Sequence, residues 1–219
     1  MARSADKLID QIKKEIAEGT LKPGDQLEES VLSDRFNLSR TPIREAIRSM
    51  VDSGLLETRP RKGAIVRVLS AKELLELFDV AAELEGMACR LAASTLTDAG
   101  AEALQSSVEK CQTASEVNDI KGYGRANLQF HSAIHKACDN SWLIEQLKQI
   151  ELRINAYRSM PFEVRGRLKK STEEHKEICQ AILDGEGEKA RDLMRDHMML
   201  QGKRMLSIIN TIESQNRGN

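Results

Sequence analysis

The 219-residue sequence predicts a mainly α-helical protein, with an N-terminal winged helix-turn-helix followed by an all-α helical bundle. Two observations predict the first domain: a capped basic segment that begins at Ser39, and two short β-like stretches on either side of residues 59–63. The bundle is predicted by the helical spacing of apolar residues, which continues with few breaks after Ser70. A hydrophobic content of 40% is typical of globular proteins.

Two scaffold helices precede the basic segment. Leu8, Ile12 and Ile16 recur at helical spacing and predict a helix over 7–18 that stops at Gly19. A second helix is predicted from about residue 28 to Phe36, and the chain then turns into the helix that Ser39 caps. The order and spacing of these helices are those of a helix-turn-helix.

The helix after Ser39 has the features of a DNA-recognition helix. Ser39 is a favoured N-cap residue, and Pro42 falls in the first turn, where its missing N–H has no intrahelical partner to lose. This end of the helix enters the major groove in helix-turn-helix proteins, where arginine pairs with guanine edges. The predicted DNA contacts on this helix are Ser39, Arg40, Thr41, Arg44 and Arg48.

A basic hairpin follows the recognition helix. Strands are predicted at 55–58 and 64–68, and the tip between them carries Lys62 and Gly63, which we expect to approach the minor groove or the DNA backbone. From Arg35 to Arg67 there are eight basic and three acidic residues, a local balance of +5 in a chain of net charge −1. A solvated basic surface would show the same charges, and the helix-turn-helix pattern favours DNA binding.

The pattern changes at Ser70, so we predict a DNA-binding domain at 1–69, a short linker at 70–71 and an all-α domain at 72–219. The tail 211–219 lacks apolar anchors and is expected to fray. The predicted helices of the second domain lie near 71–94, 98–117, 120–138, 141–159, 163–184 and 186–210.

Cysteine usage and hydropathy indicate the compartment. The four cysteines lack C-x-x-C spacing and fall inside helical segments, which predicts reduced, buried thiols. The sequence has no run of about 18 apolar residues and no apolar signal core at its start. We therefore expect a cytoplasmic protein with no membrane partner.

Histidines in three predicted helices point to a metal site. His175 and His197 each lie at the centre of an apolar helical stripe and are expected to face inward. His131 shares the edge of another stripe with Asn127 at i, i+4, whereas His135 lies farther toward solvent. Three imidazoles and an oxygen donor suit Zn²⁺, Ni²⁺ or Mn²⁺. The predicted ligands are Asn127, His131, His175 and His197.

The alternative is that each histidine is a hydrogen-bonded core residue, as buried polar groups usually are. Asn127 weakens the metal hypothesis because a neutral amide is a poorer ligand than a carboxylate. His135 is the fallback ligand if Asn127 does not bind.

The chain resembles the GntR family of transcription regulators with an effector-binding domain of the FCD class. In the N-terminal half, residues 19–28, 39–47 and 53–56 resemble the family's G-x-L-x-P-G-x-x-L-x-E, S-R-T-P-V-R-E-A-L and E-G-L-V signatures. In the C-terminal half, residues 127–131, 174–178 and 195–197 resemble its D/N-x-x-F-H, E-H-x-x-I and M-x-x-H elements.

The resemblance implies a homodimer that binds an inverted repeat in double-stranded DNA, and a small carboxylate effector that sits on the metal. It assigns DNA contact to the start of the recognition helix and the wing tip, and metal binding to Asn127 and the three inward-facing histidines. Ala81 replaces an arginine often found in the first helix of the effector domain. Arg153 and Arg158 flank an apolar stripe and become the candidate effector anchors.

Two other functions stay open at this stage. A metal-dependent enzyme would also use a three-histidine site with open positions, but no glutamate stands between histidines in an H-E-x-x-H arrangement. A dimeric DNA-binding protein without a ligand would bind neither a metal nor an effector. We expect a ligand-responsive transcription regulator and not an enzyme.

Overall fold

A computed structural model describes residues 2–17, 19–60, 63–158 and 166–217. It divides the chain into two compact units, Met1–Leu69 with Leu152–Tyr157, and Ser70–Glu151 with Arg158–Asn219. The elements of the N-terminal part are α1 (Ala2–Ala17), β1 (Gln26–Leu27), α2 (Glu29–Phe36), α3 (Arg40–Asp52), β2 (Leu56–Arg59) and β3 (Gly63–Val66). The later elements are α4 (Ala71–Thr95), α5 (Asp98–Glu116), α6 (Ile120–Ala137), α7 (Ser141–Arg158), α8 (Arg167–Leu183) and α9 (Gly187–Arg217).

Helices α1, α2 and α3 of the first unit pack around one apolar core. Leu8 and Ile12 of α1, together with Ile43 and Met50 of α3, are buried almost completely. Burial of each such side chain contributes about 1.5–3 kcal/mol relative to exposure. The apolar positions that recur at helical spacing in the sequence therefore form the interior of a helix-turn-helix.

A three-stranded antiparallel sheet completes this unit, with the strand order β1-β3-β2. Arg59 pairs with Gly63 at the end of the hairpin, and Leu27 of β1 pairs with Ala64 of β3. The sequence predicts the two hairpin strands but not β1. A strand of two residues after a proline-glycine turn is too short to show an alternating pattern.

One segment of α7 belongs to the first unit. The hydroxyl of Tyr157 accepts a hydrogen bond from the backbone N–H of Leu69 at 2.7 Å and donates to the carbonyl of Arg67 at 3.3 Å. The sequence predicts one continuous second domain from residue 72 onward, and the structure instead joins residues 152–157 to the N-terminal unit.

The second unit is helical throughout most of its described residues. Ser70 and Glu73 form a complete capping box at the start of α4, where the sequence predicts a cap at Ser70. Helix α4 packs along α9, α5 packs on α6, and α8 contacts both α5 and α9. Helix α9 continues to Arg217, so the segment predicted to fray after residue 210 is helical as far as the structure describes it. None of the described helices is long and apolar enough to cross a membrane.

Candidate functional site

The recognition helix α3 separates its apolar and polar faces cleanly. Ile43, Ala46 and Met50 are buried in the first unit. The predicted DNA contacts of this helix all lie on the exposed face: Ser39, Arg40, Thr41, Arg44 and Arg48. The apolar side anchors the helix, which leaves the polar side available for a nucleic-acid partner.

Ser39 occupies the N-cap position with an extended backbone (φ −67°, ψ 166°), as predicted, but its side chain makes no capping hydrogen bond within the described chain. Its hydroxyl is therefore available for contact with a phosphate. Nε of Arg44 donates to Oε2 of Glu29 at 2.8 Å across to α2, and both side chains are largely exposed. Because exposed ion pairs contribute at most about 1 kcal/mol, Glu29 can be exchanged for DNA at small cost.

The wing strand β3 begins beside the recognition helix. Gly63 has φ +68°, and no described atom lies within 4 Å of the position that a Cβ would take there. An open cleft of about 650 Å³ has Arg40 of α3 and Gly63 of the wing among its lining residues. Lys62, the other predicted wing contact, lies outside the described residues.

The three inward-facing histidines converge in the second unit. His131 of α6, His175 of α8 and His197 of α9 are at most 2% exposed, and each offers a ring nitrogen within 4.8 Å of the others. The ring centroids of His175 and His197 are 4.9 Å apart. Phe130 stacks on His175 at 4.2 Å and shields one side of the cluster from water. Helices distant in sequence thus bring three imidazole rings to one buried point.

Asn127 lies one turn before His131 on α6 and is fully buried. Neither Oδ1 nor Nδ2 has a hydrogen-bond partner among the described residues. A buried polar group without a partner costs about 1–3 kcal/mol. An oxygen ligand to a cation is one use for such an amide, so the donor set fits three imidazole nitrogens and one oxygen.

Two acidic side chains hold the histidine rings in orientation. Oε2 of Glu174 lies 2.7 Å from Nδ1 of His197, and Oε2 of Glu85 lies 3.2 Å from Nδ1 of His131. Because a carboxylate accepts hydrogen bonds, these contacts favour the proton on Nδ1 and leave the Nε2 lone pair of each ring for another partner. The amide of Gln201 lies 2.7 Å from Nε2 of His197, as expected for an N–H that donates to that lone pair. This contact would have to break before Nε2 of His197 could bind a metal.

The pKa values of both acids agree with this arrangement. Burial raises the pKa of Glu85, but the adjacent His131 and His135 outweigh burial and hold that pKa well below its usual range. Burial likewise raises the pKa of Glu174, and the contacts with His197 and Arg167 bring it below its usual range. Both groups therefore stay ionised at neutral pH.

His135 corrects a prediction. The sequence places it toward solvent, but it is only 5% exposed and its Nε2 lies 2.9 Å from Oε2 of Glu85. Helix α4 covers this side of α6, which a helical wheel for α6 alone cannot show. His135, His131 and Glu85 form a second group of possible ligands that shares His131 with the first.

Of the two candidate effector arginines, only Arg153 has a described side chain. Nη2 of Arg153 donates to the backbone carbonyl of Ser53 at 2.9 Å, a contact inside the first unit. The role of Arg153 as an effector anchor stays a prediction. The backbone of Arg158 ends α7, and its side chain lies outside the described part of the structure.

Sequence reasoning missed three buried polar residues of the site: Glu85, Arg167 and Gln201. Glu85 and Gln201 are surrounded by apolar positions at helical spacing, and a polar residue inside such a stripe was the signal that could have identified them. Arg167 is the first residue of α8, and a charged residue at the end of a helix gives no sequence signal of burial.

Comparisons with known proteins agree with both units. Residues 4–66 match the family described as "Bacterial regulatory proteins, gntR family", and residues 76–199 match the FCD domain. A probable D-xylose utilization operon transcriptional repressor from Paenarthrobacter nicotinovorans is 30% identical over 194 residues, covering 89% of this chain and 85% of the relative. The Escherichia coli repressor GlaR is 28% identical over 199 residues, covering 86% and 89%.

Solved structures show the same architecture. Escherichia coli McbR/YncC superposes with a TM-score of 0.84 at 26% identity, covering 94% of this chain and 98% of that one. The relatives are transcription regulators and not enzymes. The chain is therefore a DNA-binding transcription regulator that belongs to the GntR family and carries an FCD domain.

Proposed function

We propose that this regulator binds a divalent metal and a small carboxylate effector in its helical unit, and that the effector changes its affinity for an operator. The observation that carries the proposal is the convergence of three buried histidines from three helices, together with an unsatisfied buried amide one turn before His131 on α6. Core histidines do not need to present their nitrogens to one another, whereas metal ligands do.

His131, His175 and His197 would hold the metal through nitrogen, and Asn127 through Oδ1. This set suits Zn²⁺, Ni²⁺ or Mn²⁺. Once bound, the metal supplies positive charge and open coordination positions. Because the four ligands are neutral, that charge is not compensated by them, which favours an anionic effector such as a small organic acid.

DNA contact is proposed for the exposed face of α3 and for the wing. The arginines of this face would read or grip the major groove, and its hydroxyl side chains and the wing tip would contact the DNA backbone. The residues of this surface are Ser39, Arg40, Thr41, Arg44, Arg48, Lys62 and Gly63. A homodimer would present two such surfaces to an inverted repeat, because dimer symmetry matches operator symmetry. Effector binding would couple to DNA binding if the operator-bound and free states of the protein bind the carboxylate effector with different affinities.

Native mass spectrometry of the full-length protein tests this function. We expect a dimer with one metal per chain, and we expect His175→Ala to lose that metal while it stays dimeric. Lys176→Ala, an exposed neighbour on α8, is the matched control and should keep the metal. A wild-type dimer that binds neither Zn²⁺, Ni²⁺ nor Mn²⁺ after dialysis against each would contradict the metal site and leave the histidines as core residues.

A further inference from the structure

Arg167 is a buried cation with two nitrogens that lack partners. Its side chain is fully buried at the start of α8. Nη1 donates to Oε1 of Glu174 at 2.9 Å and lies equally close to Oε2, whereas Nε and Nη2 have no hydrogen-bond partner in the described part of the chain. Buried guanidinium groups are normally paired on every side, because unpaired buried donors of a charged group are costly.

The two unused nitrogens form one edge of the guanidinium. Nε–H and one N–H of the neighbouring Nη2 point in the same direction, and this edge matches the two oxygens of a carboxylate in a bidentate pair. A single water molecule offers one oxygen to this edge, whereas a carboxylate offers two. The shape of the unused edge therefore favours a carboxylate, although Glu174 already pairs with the cation.

Glu174 connects this edge to the histidine cluster. Its Oε1 accepts from Arg167, and its Oε2 lies 2.7 Å from Nδ1 of His197. The carboxylate of Glu174 thus pairs with the Arg167 cation through one oxygen and orients His197, a predicted metal ligand, through the other. Burial raises the pKa of the Tyr123 phenol, and the charge of nearby Arg167 partly opposes that effect. Tyr123 in turn stacks against His175 at 6.4 Å, so Arg167 lies at the edge of the same buried cluster.

We propose that Arg167 anchors the effector, with its Nε/Nη2 edge receiving a carboxylate of a small organic acid. This inference rests on the proposed function, because it takes such an acid as the effector. Arg167 is a different residue from Arg153 and Arg158, the two anchors that the sequence suggests. Because the anchor is a side chain of the protein, it can bind a carboxylate whether or not a metal is bound to the histidines.

The test measures the binding of sodium acetate, the smallest stable carboxylate probe, by the shift in melting temperature of the full-length protein. Acetamide is the uncharged probe of similar shape, and sodium chloride at equal ionic strength controls for screening. Each titration is made on metal-loaded protein and on protein dialysed against EDTA. We expect acetate, and not acetamide or chloride, to raise the melting temperature of both wild-type forms.

Two variants locate the binding. Arg167→Lys keeps a cation but loses the bidentate edge, and we expect it to weaken acetate binding about tenfold. Arg167→Gln keeps an amide that can donate to Glu174. If Arg167 only pairs with Glu174, this variant would change the melting temperature without acetate but not the shift that acetate causes. Arg195→Lys is the matched control, because Arg195 also has an unpartnered Nε among the described residues but its side chain is 42% exposed.

The outcomes separate this inference from the proposed function. An acetate shift in metal-free protein that Arg167→Lys loses and Arg195→Lys keeps supports the anchor, even if no metal ever binds. Metal binding with an acetate shift that persists in Arg167→Lys and Arg167→Gln overturns the anchor and leaves the metal site intact. The absence of any acetate-specific shift in wild-type protein overturns the anchor as well.

Discussion

Oε2 of Glu174 lies 2.7 Å from Nδ1 of His197, and Oε1 of the same carboxylate accepts from Arg167 at 2.9 Å. One acid therefore orients a predicted metal ligand and neutralises a buried cation at the same time. Outer partners of this kind set the tautomer of a ligating histidine and raise its basicity. These two contacts make Glu174 the residue through which the proposed metal site and the proposed Arg167 anchor influence each other.

Replacement of Glu174 by glutamine should weaken metal binding. The amide would keep the size of the side chain but lose the charge that stabilises a metal-bound imidazole, and such changes typically cost about 10–100-fold in affinity. Competition with a chelator for Zn²⁺ measures the effect. Glu173→Gln removes an exposed carboxylate next to it and should leave the affinity unchanged. Equal affinities for the two variants would contradict the orienting role of Glu174.

Arg44→Ala should weaken operator binding by about tenfold or more, because one good arginine contact to a base pair contributes about 1–3 kcal/mol. A gel-shift titration on operator fragments obtained by selection from random DNA checks this, with the oligomeric state measured in parallel. Arg90→Ala removes an arginine from α4 in the other unit and serves as the control. Unchanged affinity of Arg44→Ala would remove this residue from the DNA interface.

The Glu15–Arg35 pair in the first unit should make stability depend on pH. The hydrogen bond from Arg35 is the main cause of the lowered pKa of Glu15, and burial opposes it. A carboxyl with a lowered pKa in the folded state stabilises the fold above its unfolded pKa of about 4.3, and this contribution is lost as pH falls through the folded value. Arg35 is half exposed, so we expect a contribution of about 1 kcal/mol.

Glu15→Gln measures that contribution directly. Urea unfolding at pH 7 and near pH 3 should show a stability difference between wild type and variant that is present at pH 7 and shrinks on acidification. Glu28→Gln, which replaces an exposed acid in the same unit, should show no such difference. A difference between wild type and Glu15→Gln that is the same at both pH values would contradict the pair as its source.

The four cysteines should be unreactive while the protein is folded. All four are buried free thiols, and burial raises the pKa of Cys111 to about 12 and that of Cys179 to about 11. The thiolate is the reactive form, so little of it exists near pH 8. Ellman's reagent should modify the native protein slowly and all four thiols at once in guanidinium chloride. Rapid modification of the folded protein would contradict this burial.

Local signals in the sequence predict most of the elements. Ser39 and Pro42 mark the start of α3, and Ser70 marks the start of α4, because capping depends on residues within one turn of the helix end. Apolar spacing places His175 and His197 at the centre of a buried stripe and His131 at the edge of one, and the structure has all three side chains buried. The start of a helix and the direction of its apolar face depend on residues of that helix alone, so its own sequence is enough to predict them.

The neighbours of each side chain depend on more than one helix. Glu85 lies 46 residues from His131 and 50 from His135, and the burial of His135 depends on α4 lying over it. Arg167 is buried through the packing of α8, and Arg153 contacts a carbonyl 100 residues away. Local sequence was therefore sufficient for the helices, for the centre of each buried face and for the residue types available to a metal or to DNA. Which acid meets which histidine, and which arginine keeps an unused edge, followed from the way the helices pack, because packing and not helical periodicity sets those distances.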